Sequence, residues 1–388
     1  MFASRLSRAL AAAVFVFATA CSETSGPARL VDPVSTAAKV NAVDSVFSVP
    51  AIEAFTSIGD LMDPGSGLAP AASLLQATQP EAPRPWAPGY AGAAQRFRAF
   101  GGASLSASSS SSSQGLIPDT LKGKTFEWDV AAGHYVVTDR PGAPADGVRF
   151  ILYAINPITR RPAEPLVEVG YVDLHDLSTD TTRSLRIVVA GVGDTPVYVD
   201  YTVAGTVSPG QFVATANGFI SNGETGEAGK TLHFDLSATL TETSFTFNAS
   251  LTLDHPAVTI TETTTATKDG PTVTLTIDFT LTEPTQKVQL IGTVTVTDDE
   301  RAGDGHRDGG PGRDDHEGIV TADLQVLVND QLFATIKGTA PEIAILGADG
   351  QPLGEEERHA LRALFRLPAR VFSFFQDLLH PVRRCFRV

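Results

Sequence analysis

Apolar and polar residues alternate with a period of two through most of the chain after Gly115. Successive side chains of a strand point to opposite faces, so this period predicts strands with one buried face and one hydrated face. Twenty-one threonines lie between Thr231 and Thr297, and many are interleaved with the apolar positions. Threonine is β-branched and polar, which suits the hydrated face of a sheet.

Turn-forming residues separate the alternating runs at intervals of roughly 8–12 residues, as all-β folds require. Examples are Ser208-Pro209-Gly210, Asp269-Gly270-Pro271 and Asn329-Asp330. No segment of helical length lies between the strands, which predicts an antiparallel meander of about fourteen strands over residues 116–353. The fold class is therefore all-β, with one large antiparallel sheet as an open or half barrel, or a sandwich. The runs 148–155 and 166–172 are apolar at nearly every position, so we expect both faces to be covered there.

Two segments with helical periodicity flank this domain. Pro50 to Met62 predicts a short amphipathic helix, and Glu355 to Leu379 within the C-terminal segment 354–388 predicts a second one. We expect both helices to pack on the sheet near its ends, although the basic C-terminal helix also fits contact with a membrane or a partner protein. An apolar ligand cavity under these helices would be lined by aromatic and aliphatic side chains at five positions: Phe55, Ile58, Phe365, Phe372 and Phe375.

The first twenty residues have the pattern of a secretory signal peptide. Arg5 and Arg8 precede an apolar run that is too short to span a bilayer. The sequence Ala18-Thr19-Ala20-Cys21 that follows resembles the lipobox of bacterial lipoproteins, with Ala18 where the family usually has Leu. The resemblance implies that Cys21 carries a lipid, which would anchor the protein to a membrane of the cell envelope. By family analogy, Ser22 after the lipidated cysteine favours the outer membrane. The alternative is an ordinary signal peptide with a chance cysteine at its end.

The segments between the signal and the sheet are predicted to be a tether and a flexible linker. Residues 21–79 form a tether that includes the short helix, and residues 80–115 form a disordered linker rich in Pro and Ser. The whole chain has 29 basic and 44 acidic residues, so nucleic acid is not an expected partner. The oligomeric state is left open.

A loop at 298–318 is rich in Asp, Gly and His. The stretch 309–314 fits half of a calcium-binding β-roll repeat, but such repeats act by stacking and this one stands alone. We expect a disordered, solvated loop, with weak divalent-metal binding as the alternative; its ligands would be Asp304, His306, Asp314 and His316. A second cluster, Asp173, His175 and Asp176, is interpreted as charges at the end of a strand, because too few ligands are present for a metal site.

No motif of an established enzyme class occurs in the chain. It has no Gly-x-Ser-x-Gly elbow, His-Glu-x-x-His pair or P-loop, so we expect no enzyme and no cofactor. The architecture is similar in outline to periplasmic lipoprotein carriers, whose half-open barrels with helical lids enclose acyl chains. This similarity favours a non-enzymatic binding protein for an apolar or lipid-like ligand. The alternatives are a structural or adhesive β-sandwich protein of the envelope and, less favoured, an outer-membrane barrel.

Overall fold

Fifteen strands form one hydrogen-bonded sheet in this computed structural model, which describes residues 28–44, 49–61, 115–297 and 319–364. The strands are β1 Lys124–Asp129, β2 His134–Thr138, β3 Gly147–Tyr153, β4 Glu168–Asp176, β5 Thr182–Ala190, β6 Val197–Ser208, β7 Gln211–Ser221, β8 Thr231–Thr241, β9 Ser244–Leu253, β10 Val258–Asp269, β11 Thr272–Thr282, β12 Lys287–Thr297, β13 Ile319–Val328, β14 Gln331–Thr339 and β15 Glu342–Gly347. The helices are α1 Pro33–Asp44, α2 Pro50–Leu61 and α3 355–364, and a 3₁₀ turn lies at Gly226–Ala228.

The strand order confirms the predicted meander. From β3 to β15 each strand pairs with the next one in the chain, always antiparallel, and the remaining order at the other end is β3, β1, β2. The edge strands are β2 and β15, so the described sheet is open and single, not a sandwich of two sheets.

One pair of strands differs from the prediction. β1 and β3 are parallel, with Phe126 opposite Phe150. β2 folds back on β1 and ends beside the start of β1, so a short connection over that end is enough to begin β3. A parallel pair separated by a hairpin needs no helical crossover, and the absence of such a crossover in the sequence therefore did not exclude it.

Tight turns set the register of the hairpins. Asn329 and Asp330 join β13 to β14 and both have positive φ angles, 51° and 65°. That geometry matches the right-handed twist of the flanking strands, and Asn and Asp adopt it more readily than most residues. Pro209 and Gly210 similarly join β6 to β7, with Gly210 at a φ of 73°.

One face of the sheet, here called the apolar face, contains most of the core. Its residues follow cross-strand rows that begin at Phe126 and Phe150 on β1 and β3 and continue strand by strand to β14. The opposite face, here called the polar face, is exposed or half-buried over β8 to β13. This alternation confirms the period-two interpretation of the sequence.

Coverage of both faces is observed in one of the two places where it was expected. β3 is buried at every position except Arg149. The prediction for 166–172 is wrong in part, because Val167 is 54% exposed and β4 begins only at Glu168. Near its start, β4 alternates between more and less buried positions. The apolar run therefore marks the beginning of a strand with one buried face, and not a strand that is covered on both faces.

Candidate functional site

Helix α3 lies on the apolar face of the sheet. Ala360, Leu361 and Leu364 are buried and form one side of the helix. Leu361 and Leu364 border a gap of about 10 Å³ against strands β11 to β13, whose lining residues are Phe279, Val288, Leu290 and Val326. That volume is close to the minimum for one water molecule, and every lining side chain is apolar.

Helix α2 covers a different part of the sheet. It contacts strands β3 to β6, and Ala51, Ile52 and Ala54 belong to the buried core. Pro50 occupies the first helical position, where the absent N–H costs nothing, and Glu53 in the first turn is favourable for the helix dipole. The predicted helix at 50–62 is thus confirmed, and the prediction of amphipathic helices on the sheet near both ends is confirmed with it.

Helix α1 was not predicted, since the sequence around it shows no clear period. Asp32 caps it: the Asp32 Oδ1 accepts a hydrogen bond from the Ser35 N–H at 2.8 Å. The side chain of Gln286, in the turn between β11 and β12, donates to Thr36 Oγ1 at 2.6 Å and accepts from the Val31 N–H at 3.0 Å. Lys39 pairs with the buried Glu283 of the same turn at 2.7 Å. The N-terminal segment is therefore attached to one end of the sheet.

A buried carboxyl group interrupts the apolar face. Glu262, on β10, is 3% exposed, and its Oε1 accepts a hydrogen bond from Thr264 Oγ1 at 2.8 Å. Its Oε2 is buried without a hydrogen-bond partner. Burial raises the pKa of Glu262 to about 8, and the hydrogen bond from Thr264 opposes this only in part. The group is therefore mostly protonated at neutral pH.

Glu262 stands in the same cross-strand row as the gap under α3. Phe279 is its register partner on β11, and Leu290 and Val326 continue the row on β12 and β13. Neighbouring strands of a sheet are about 4.8 Å apart, so the carboxyl group lies one strand away from the edge of the gap.

On its other side, toward β9, the neighbour of Glu262 in its row is small. Its partner on β9 is Ala249, and the same row continues through Leu236 on β8 to Ala216 on β7. The next row, through Thr264, passes Phe247 on β9 before it reaches Ala238 and Ala214. Both rows therefore contain large as well as small side chains on this side of the carboxyl group, and the residue next to Glu262 is small.

Charged pairs occupy the polar face at β3 to β6. Arg149 binds Asp173 through two hydrogen bonds of 2.7 Å, and its guanidinium lies 3.7 Å from the centre of the Tyr171 ring. His175 Nδ1 lies 2.9 Å from an oxygen of Asp146. Asp173 and His175 share this face, as the alternation predicts, and each has its own partner. In the described ranges no group of three or more potential ligands is suitable for a metal ion.

The residues predicted for a ligand cavity are only partly described. Phe55 is half-buried on α2 and packs against the core, while Ile58 lies on α2 and its side chain is outside the described residues. The other predicted positions also lie outside the described residues: Phe365, Phe372, Phe375, the lipid site Cys21 and the candidate metal ligands Asp304, His306, Asp314 and His316.

Glu262 itself was missed, although the sequence holds the signal. Val258, Ile260 and Ala266 place one face of β10 in the core, and Glu262 falls on that face by counting in twos. A carboxylate at such a position is costly to bury, which distinguishes it from the threonines around it.

Comparison of the chain with protein-family models, with curated proteins and with solved structures finds no match. Among the described helices none has both the length and the apolar character required to cross a bilayer.

Proposed function

We propose that this protein is a lipid-anchored, non-enzymatic binding protein of the cell envelope, and that it holds an apolar or lipid-like ligand between its sheet and a covering helix. The observation that carries the proposal is α3, which covers the apolar face and leaves a gap lined only by apolar side chains. Apolar ligand sites are typically formed in this way, with a few polar groups that fix orientation.

The contacts of α3 suit a cover that moves. Its described apolar contacts come from three buried side chains, Ala360, Leu361 and Leu364, and from the half-buried Ala363. Dispersion and hydrophobic contacts are non-directional, so a second apolar surface can replace them without leaving polar groups unsatisfied. Since the gap holds no more than one water, the occupied state requires α3 to shift away from β11 to β13.

The test uses the full chain with Cys21→Ser, which removes the proposed lipidation site. The purified protein is extracted with organic solvent and the extract is analysed by mass spectrometry, and the extracted protein is then titrated with an apolar fluorescent probe. We expect a co-purified apolar compound and saturable probe binding with one site per chain. A folded protein that carries no such compound and binds no apolar probe would rule the proposal out.

Anchoring at Cys21 is tested separately by membrane fractionation of the cells that express the chain. The wild-type chain is expected in the membrane fraction and the Cys21→Ser variant in the soluble envelope fraction. Equal distribution of both would contradict the lipid anchor.

A structural or adhesive role is the second candidate, and the polar face favours it. Threonines of four neighbouring strands form a cross-strand row there, half-buried or exposed: Thr246, Thr265, Thr276 and Thr293. Such a role predicts binding of cells or envelope polymers by the Cys21→Ser chain that is lost when these threonines are replaced by Lys, and no binding of apolar probes.

A further inference from the structure

We infer that Glu262 is the polar contact of the ligand site, and that it donates a hydrogen bond from its Oε2 to an uncharged acceptor oxygen, such as an ester carbonyl, on an otherwise apolar molecule. This inference rests on the proposed function, because it names the chemistry of the ligand that α3 would cover. It adds a selectivity that an apolar gap alone does not have.

The first step is the unused hydrogen-bonding capacity of the carboxyl group. Oε1 already accepts from Thr264, while Oε2 is buried and has no partner. A buried polar atom without a partner costs stability, and a Leu or Val on β10 would complete the apolar row without that cost. A ligand that engages Oε2 would relieve the cost, which gives the bound state an advantage over the free state.

The second step is position. Glu262 shares its cross-strand row with three residues that line the gap, Phe279, Leu290 and Val326. A chain-like molecule lying along this row under α3 would place its apolar part on the large side chains and its oxygen beside Glu262. On the other side of Glu262 the row continues with the small Ala249, beside which the polar end would lie, and then with Leu236.

The uncharged surroundings of Glu262 favour an uncharged oxygen on the ligand. The side chains that neighbour Glu262 in its row on β9 and β11 are Ala249 and Phe279, and neither is charged. Lys268 near the end of β10 and the α3 residues Arg358 and Arg362 are exposed to solvent. With no described cation facing it in this row, the group stays a proton donor at neutral pH, since burial raises the pKa of Glu262 to about 8.

The test compares three ligands of matched chain length with the Cys21→Ser chain. Methyl dodecanoate has acceptor oxygens, tridecane has none, and dodecylamine is a cation. The affinity of each compound is measured by its displacement of the apolar probe N-phenyl-1-naphthylamine. We expect the ester to bind roughly fivefold more tightly than the alkane at pH 6, the ratio expected from one hydrogen bond between uncharged groups. At pH 9.5, where the carboxyl group has lost its proton, this preference should disappear.

Two variants make the assignment specific. Glu262→Leu should bind ester and alkane equally at both pH values, because the donor is gone and the apolar row is intact. Glu262→Gln retains a donor N–H, so it should keep the ester preference and lose its pH dependence.

The possible failures are distinct. If Glu262→Leu keeps the wild-type preference for the ester, Glu262 does not contact the ligand and the inference is wrong, while the proposed function stands. If dodecylamine binds best and gains affinity as the pH rises, the carboxylate binds a cation and the assignment of a neutral oxygen is wrong. If the unsubstituted site binds none of the three compounds and no probe, the proposed function itself fails.

Discussion

Replacing Glu262 with Gln should make the unliganded protein more stable, and more so as the pH rises. The carboxyl group has a pKa of about 8 in the folded chain and an ordinary value of 4.5 when exposed in the unfolded chain. An acid whose pKa is raised by folding binds its proton more tightly in the folded state. Stability therefore falls as the pH rises through the range from 4.5 to 8, and it levels off above 8.

The size of the effect follows from the two pKa values. By linkage, Glu262 lowers the free energy of unfolding by about 1 kcal/mol at pH 5 and by about 4 kcal/mol at pH 8. The free energy of unfolding of the unsubstituted chain should therefore fall by roughly 3–4 kcal/mol from pH 5 to pH 8 because of this group. Glu262→Gln has nothing to titrate at this position and avoids the loss. The free energy of unfolding of this variant, minus that of the unsubstituted chain, should rise by that amount from pH 5 to pH 8.

The assay is urea denaturation of both proteins at pH 5 and pH 8, with other titrating groups cancelling in the difference. Glu342→Gln is the matched control, since Glu342 is an exposed carboxylate on β15, and it should leave the difference flat. A flat difference for Glu262→Gln as well would refute the argument, because it would mean that the carboxyl group is not desolvated in the folded state.

Three other substitutions test the contacts that hold the structure together. Arg149→Ala leaves the carboxylate of Asp173, which is 8% exposed, without its partner, and should lower the free energy of unfolding by about 3–5 kcal/mol in urea denaturation. Arg186→Ala, in a similar but more exposed pair, should lower it by less than about 1 kcal/mol. Similar losses for the two variants would contradict this. Leu361→Ala should lower the free energy of unfolding by about 2–5 kcal/mol, and Arg362→Ala, at an exposed position, should leave it unchanged. Equal stability of the two variants would show that α3 does not pack on the sheet in solution. Gln286→Ala should raise the hydrogen-exchange rate of α1 alone, and unchanged exchange would show that this helix is held by other contacts.

The β architecture was accessible from the sequence because its signal is local. Alternation, Thr enrichment and turn residues each act within a few positions, and together they predict the meander and the hairpin at Asn329-Asp330. The helix that begins at Pro50 follows from an equally local signal, the helical spacing of apolar residues. The parallel pairing of β1 and β3 arises because β3 pairs with β1 and not with β2, the strand that precedes it in the chain. No local sequence pattern encodes this pairing.

The candidate site was less accessible because it depends on long-range contacts. The burial of Glu262 is visible in the alternation of β10, but its unpaired oxygen and its row with the residues under α3 require the register of four strands. Helix α1 shows the same limit: its capping residue Asp32 is local, while the contact with Gln286 joins residues 250 positions apart in the chain.

In our proposal an apolar ligand lies between α3 and the apolar face, with its oxygen at Glu262. A crystal structure of the protein soaked with a terminally brominated dodecanoate methyl ester tests it directly. We expect anomalous signal from bromine beside the apolar residues of β11 to β13 and the ester carbonyl within hydrogen-bonding distance of Glu262 Oε2, with α3 displaced. Bromine elsewhere on the molecule, with α3 unmoved and Oε2 still unpartnered, would contradict it.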